Sequence, residues 1–354
     1  MRTQQTSPIT IFTPSFADES NTNAQNLTVK EIVARLPAEM FRVIMLSDGK
    51  PDPRIASRPN TKLLPYFSHG NAAHLLMRAF LCRPNIYFYP RVGPLDRAWL
   101  AQRCFVRRTR VVTHVVSSMA EISDTDPAVR SILEADAVFA NSTFVAQTLR
   151  QRFALEIGTI YNGIDRRLFF SASRPEGRSP IRVLYAGSFQ PHKRPELVIR
   201  VAAKFPDANF SLAGKGECEP LCREMAAQLR CRNVAFLGHL SQAQLGDQMR
   251  CSDIFLFPSI DEGHPQVLGQ AAACGLPVMA MNSYRPEYVV NGQTGFLLES
   301  DEEITPKLEL LLRNPALRQS MAEAAIGHSQ KFDWDQITEQ WIAVFTQITN
   351  RSAN

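Results

Sequence analysis

The sequence lacks several features, and each absence narrows the field. No apolar run in it approaches the roughly 18 residues that a membrane-spanning helix needs. Its first 30 residues are polar where a signal peptide would carry an apolar stretch, so a cytoplasmic location is expected. There is no internal repeat and no low-complexity tract, which excludes solenoids and fibrous arrays. The seven cysteines are odd in number and have no paired spacing, so a disulfide framework is not expected. Cys218, Cys222 and Cys231 come closest to a metal cluster. They have no CxxC or HxxxH partner, and no metal site is expected there.

What is present is the composition of a soluble globular protein, with 45% hydrophobic and 21% charged residues, which can bury real cores. At 354 residues the chain exceeds what one core usually supports, so two domains are expected. The net charge of +5 is unevenly spread: residues 1–172 hold 21 Lys and Arg against 14 Asp and Glu, while the remainder holds 18 against 20. Between Arg78 and Arg110 eight arginines face one acid, Asp96. That stretch is either an ordinary solvated face or a surface for anionic partners such as membrane headgroups, with Trp99 and Phe105 as added contacts or as parts of a buried helix. It lacks interleaved aromatics or a recognised module, so nucleic acid is not expected as a partner.

Short β-branched or aromatic runs predict strands at 9–12, 41–46, 85–89, 110–116 and 137–140. Helical stretches alternate with them at 28–36, 96–107, 127–133 and 142–153. The polar run SASRPEGRSP, residues 171–180, is linker chemistry. Beyond it the alternation restarts with strands at 182–185, 209–213, 234–237, 254–258 and 277–280, and helices at 196–205, 219–230, 242–250 and 265–274. This is the pattern of parallel sheets covered on both faces, giving an α/β chain of two doubly wound, Rossmann-like domains, 1–172 and 173–332. Open sheets of that kind bind ligands outside the carboxyl ends of their strands.

Three glycine-bearing turns follow strands in the second half. AGSFQPHKRPE (186–196) puts Gly187 at a strand end with Lys193 and Arg194 behind it, a phosphate site or a solvated loop. DEGHPQVLGQAAACG (261–275) opens a helix at Pro265 just after Gly263 and His264, which suits an anion at the helix N-terminus or a plain capped core helix. Gly214-Lys215-Gly216 lacks the rest of a dinucleotide fingerprint.

Taken in order, IYNGIDRRLF, YAGSFQPHKRPELVI, FSLAGKG, VAFLGHL, CSDIFLFPS, DEGHPQVLGQAAACGLPV and NGQTGFLL span about residues 158–300. In that order and spacing they resemble the nucleotide-sugar domain of retaining glycosyltransferases of family 4, which have the GT-B fold of two Rossmann-like domains facing across a cleft. FDWDQITEQWIAVF resembles that family's closing helix, about 333–354 here, which returns to the first domain. The resemblance implies transfer of a sugar from a nucleoside-diphosphate sugar to a glycan or lipid-linked acceptor with retention of configuration, without a metal cofactor. Such work belongs to polysaccharide or glycoconjugate biosynthesis, in the cytoplasm or peripherally at the inner face of the plasma membrane. It implies Lys193 as the diphosphate cation, Glu262 as the first acid of a Glu-x7-Glu motif that orients the sugar, and His114, in TRVVTHVVSS, as a strand-end histidine that reaches the sugar. Donor contacts are implied for Gly187, Ser188, Arg194, Leu240, Gly263, His264, Pro265, Gln266, Val267 and Gln270.

The chain departs from the family at Ser188, where arginine is common, and at Gln270, where the second glutamate stands. A glycine-rich first loop is replaced by PSFADESNTN. Arg194 or Arg285 would supply the missing cation, and His264 is expected as a surface histidine where the family carries an aromatic residue. These losses of charge also fit another expectation, a GT-B protein that binds nucleotide or glycan without transfer. Asp124-Thr125-Asp126 imitates a metal-binding motif of a different transferase fold, but Pro127 behind it reads as a helix cap.

Overall fold

The computed structural model describes residues 7–20, 24–66, 77, 81–89, 99, 108–117, 123, 126, 129, 132–173 and 179–350. The chain forms two compact units, one of Met1–Asn162 with Trp334–Asn354 and one of Gly163–Asp333. The division therefore falls at Asn162 and not at residue 172. The reason is local: Ile164 N–H bonds to Phe332 O at 2.7 Å, and Arg250 donates to Leu168 O at 2.8 Å while lying over the Phe170 ring. Residues 163–172 are thus packed as part of the second unit.

The first unit is a seven-stranded parallel sheet. Its strands are β1 (Ile9–Phe16), β2 (Phe41–Ser47), β3 (Thr61–Pro65), β4 (Ile86–Tyr89), β5 (Arg110–Val115), β6 (Ala137–Ala140) and β7 (Ile157–Thr159), in the order β3-β2-β1-β4-β5-β6-β7. Side chains alternate across a strand, so each apolar run feeds both faces. Ile11, Val43, Met45, Ile86, Phe88 and Val112 pack on one side, against α1 (Ala24–Arg35) and the closing helix Trp334–Asn350. Phe12, Ile44, Leu46, Tyr87 and Val111 pack on the other. Trp99 is fully buried in that second cluster, 4.5 Å from the Tyr87 ring, and is not a surface contact. Of the eight arginines from Arg78 to Arg110, only Arg83, Arg108 and Arg110 lie within the described residues, and Arg110 pairs with Asp136 at 3.2 Å. The other five arginines, Phe105 and most of the helices expected at 96–107 and 127–133 lie outside the described residues.

The second unit is a six-stranded parallel sheet, β10-β9-β8-β11-β12-β13. The strands are β8 (Arg182–Ala186), β9 (Asn209–Ala213), β10 (Val234–Gly238), β11 (Ile254–Phe257), β12 (Val278–Met281) and β13 (Gly295–Leu298). Helices alternate with them as the sequence pattern predicts: Pro195–Ala202, Glu219–Gln228, Gln242–Arg250 and Gln266–Ala273. Two further helices, Ile304–Arg313 and Pro315–Ser329, follow the sheet, the second opened by an Asn314 cap on Leu317 N–H. Successive strands run outward from β8 to β10, and the chain then returns to β11 on the other side of β8. That reversal places the topological switch point between β8 and β11, and the segments leaving their carboxyl ends are where a ligand is expected.

Candidate functional site

The two segments leaving the switch point carry Lys193 and Glu262. After β8 the chain turns at Gly187, whose N–H bonds to Ala213 O at 3.0 Å. A Cβ on Gly214, with φ of 144°, would lie 1.8 Å from Gly187 O, and one on Gly216 2.5 Å from Phe189 O, so only glycine lets these two strand ends touch. Phe189 N–H to Lys215 O and Cys218 N–H to Phe189 O, both 2.9 Å, fasten the loops together. A single 3-10 turn, Pro191–Lys193, then ends at Lys193.

After β11 the chain leaves through Pro258 and Ser259. Ile260 N–H bonds to His192 O at 3.0 Å, which stitches this loop to the Lys193 turn. The Lys193 ammonium forms an ion pair with Glu262 Oε1, and Ser259 Oγ donates to the same oxygen at 2.8 Å. The two side chains are 18% and 13% exposed, so the pair is shielded from bulk water yet reachable. Lys193 Nζ also lies 5.4 Å from the centre of the Phe257 ring. The buried Tyr185 phenol hydrogen-bonds to Ser188 O at 3.3 Å, and burial together with the Glu262 charge pushes its pKa up. Ser259 and Tyr185 were not singled out from the sequence. Ser259 directly follows the apolar strand, and that position was the available signal.

The neighbouring expectations divide. The helix Gln266–Ala273 starts at Pro265 with no side-chain cap, and the opening N–H groups of a helix have no carbonyl behind them within it. Gly263 and Pro265 lead into that turn, and Gln266 and Val267 begin it, both half-buried. Gln270, on the same helix, is buried and donates to Gln242 Oε1 at 3.1 Å. Leu240 is half-buried, just before the Ser241 cap of the helix that Gln242 opens. Ser188 is exposed.

Three expectations are corrected. The Arg194 guanidinium is not free for a donor in this structure: it is held by Pro258 O at 2.8 Å and by both oxygens of Asp301 at 2.8 and 2.9 Å. A left-handed backbone at Arg194, φ 50°, turns the side chain from the Lys193 direction into that strut. His264 is not a surface histidine. Its side chain has no exposed surface, its ring lies tilted against that of Tyr288 with centroids 4.0 Å apart, and the Phe332 ring lies at 5.8 Å. His114 does not present its ring to a ligand in this structure. It is 0% exposed in the first unit, donates from Nε2 to Ile160 O at 3.0 Å and meets Trp341 edge to face. Burial pushes its pKa down to about 4, so the ring is neutral at ordinary pH. Arg285, the other cation considered, is exposed on the loop after β12 with φ 47°.

No group of three or more His, Cys, Asp and Glu side chains among the described residues is arranged to hold a metal ion. No helix among them is long and apolar enough to cross a membrane. What the site offers an incoming group is one ammonium held by a carboxylate, several hydroxyls and a helix N-terminus beside them.

Residues 167–328 match the family described as glycosyl transferases group 1. The matched stretch includes Lys193, Glu262 and the helix that follows. Over 92% of its length the chain is 27% identical to a D-inositol 3-phosphate glycosyltransferase of Streptomyces avermitilis, covering 78% of that protein. It is 28% identical to the protein of the same name from Rhodococcus erythropolis, over 63% of this chain and 57% of that one. In three dimensions it superposes on Anabaena HepE, solved with UDP and glucose, with a TM-score of 0.78 and 17% identity over 95% of this chain and 99% of that one. Sucrose-phosphate synthase from Thermosynechococcus elongatus gives 0.76 and 16%, over 97% and 100%. The fold is GT-B. Within the matched segment, the Lys193 and Glu262 loops are those that leave the switch point.

Proposed function

We propose that the chain is a retaining glycosyltransferase that moves a sugar from a nucleoside-diphosphate sugar to a hydroxyl acceptor. The observation that carries this is the Lys193–Glu262 pair at the switch point of the segment that matches group 1 glycosyl transferases. In such a reaction the bond from the anomeric carbon to the diphosphate breaks, the acceptor oxygen bonds to that carbon, and negative charge develops on the departing diphosphate. Lys193 and the opening N–H groups of helix Gln266–Ala273 are fixed positive ends suited to that charge, and fixed dipoles stabilise it without reorganising. Glu262 suits the sugar hydroxyls, as an acceptor of their hydrogen bonds. Gln270 suits the nucleoside side as a neutral acceptor, worth about 0.5–1.5 kcal/mol where a carboxylate would give about 1.5–3.

Retention of Lys193 and Glu262 together favours transfer over binding alone, despite Ser188 and Gln270. The ammonium and the helix N-terminus supply the positive charge, so we propose no metal requirement; turnover is expected to persist in excess chelator. A glycan or lipid-linked acceptor, a role in polysaccharide biosynthesis and cytoplasmic or inner-membrane placement belong to the same proposal. The test is a panel of UDP-, GDP-, ADP- and dTDP-sugars without acceptor. Slow release of nucleoside diphosphate from one of them is expected, and no release from any would contradict the proposal.

A further inference from the structure

The loop after β12 brings a buried phenol to the Glu262 side of the site. Asn282 N–H is anchored to Leu298 O at 2.9 Å, Ser283 Oγ donates to Ile260 O at 2.7 Å, and Arg285 N–H closes the turn on Asn282 O at 3.0 Å. The Ser283 bond fixes this loop to the segment between Ser259 and Glu262. Between those anchors Tyr284 is 1% exposed, and its hydroxyl, itself buried, has no hydrogen-bond partner. Burial, and after it the Glu262 charge, holds the phenol's pKa well above the ordinary value. A buried hydroxyl without a partner is unfavourable, and such groups in native structures call for an explanation.

Glu262 provides one. Both of its hydrogen-bonding partners, Lys193 and Ser259, converge on Oε1. If Lys193 is to meet a diphosphate, Glu262 must give up part or all of its cationic partner, and a carboxylate that is 13% exposed is left short of donors. The Tyr284 hydroxyl is a buried donor without a hydrogen-bond partner among the described residues, on the loop that Ser283 ties to the Glu262 segment.

We propose that Tyr284 is a positioning residue for donor binding: its hydroxyl takes over Glu262 when Lys193 turns to the diphosphate, so that the carboxylate stays aimed at the sugar. The inference rests on the donor-site reading above. It separates two states of one site. In the unliganded protein Lys193 and Glu262 neutralise each other and the phenol is idle; in the nucleotide-bound protein Lys193 faces phosphate and Tyr284 faces Glu262.

The experiment is a double-mutant cycle on nucleotide affinity, measured by calorimetry with whichever of UDP, GDP and ADP binds the wild type. The four proteins are wild type, Tyr284→Phe, Glu262→Gln and the double variant. Tyr284→Phe removes a hydroxyl that is idle without ligand, so its melting temperature is expected to match or exceed that of wild type. Its nucleotide affinity is expected to fall about fivefold to tenfold, the worth of roughly one hydrogen bond to a charged group. In the Glu262→Gln background, where no charge needs a replacement partner, the same substitution is expected to change affinity less than twofold. A loss of equal size in both backgrounds, or no loss in the wild-type background, overturns the inference while leaving the donor site standing. Failure of all three nucleotides to bind the wild type overturns the donor-site reading, and this inference with it.

Discussion

Lys193 and Glu262 are 69 positions apart in the chain, and the parallel sheet is what makes them partners. Their ion pair also sets a cost, because a diphosphate must compete with Glu262 for the ammonium. Glu262→Gln is therefore expected to bind nucleoside diphosphate severalfold more tightly than wild type while transferring sugar more slowly, a split visible by comparing calorimetry with turnover. Weaker nucleotide binding in that variant would contradict the competition. His114 carries a different prediction. The folded ring stays unprotonated down to about pH 4, whereas the unfolded chain takes up a proton below about 6.5. The unfolded state thus binds more protons in that window, and stability falls as pH drops through it, by up to about 3 kcal/mol. Urea unfolding at pH 7.5 and 5 should show the loss, and His114→Gln, which keeps an N–H for Ile160 O, should show less of it. An unchanged pH dependence would place the titration elsewhere.

Much of the site was legible at the scale of single elements because glycine, proline and strand ends leave marks in the sequence. The turn at Gly187, the Gly214-Lys215-Gly216 clasp and the helix opened at Pro265 all stand where their residues predict. What was not legible needed partners from far along the chain. His264 lies on a loop and reads as exposed; Tyr288 and Phe332, which enclose it, come from a later loop and a later 3-10 turn. Arg194 sits beside Lys193 in sequence, but its left-handed backbone separates their roles. Strands β3, β7 and β13 are not marked by the sequence pattern: β3 is an edge run containing Lys62 and ending in Pro65, β7 has three residues, and β13 has four and opens on Gly295. The glycine clasp gives the prediction at this scale. Gly214→Ala would push a methyl group into Gly187 O and force a strained φ, costing about 1–3 kcal/mol for the backbone alone. Thermal unfolding should register the loss, and nucleotide binding should weaken with it because the Lys193 loop is fastened to that clasp. A variant as stable as wild type would show that the loops part easily.

Across the whole molecule, the chain order and the packing order differ in one respect: the last helix belongs with the first sheet. Trp334, Ile337, Trp341 and Phe345 are buried there, Trp341 with its ring 4.9 Å from Phe88 and 5.4 Å from Phe139. Its apolar spacing was readable from the sequence, but only packing shows that it completes the core of a unit begun some 300 residues earlier. Trp341→Ala is expected to destabilise that unit by about 3–5 kcal/mol, seen as a lower midpoint in urea. A loss below about 1 kcal/mol would mean the helix only rests on the sheet.

The central claim, that the switch-point loops of the second unit hold a sugar-nucleotide diphosphate, is tested most directly by comparing Lys193→Ala with wild type on the best donor of the panel. The account predicts a fall in kcat/KM of about a hundredfold or more, the usual loss when one fixed donor to a developing charge is removed. Equal kcat/KM in the two proteins would contradict it.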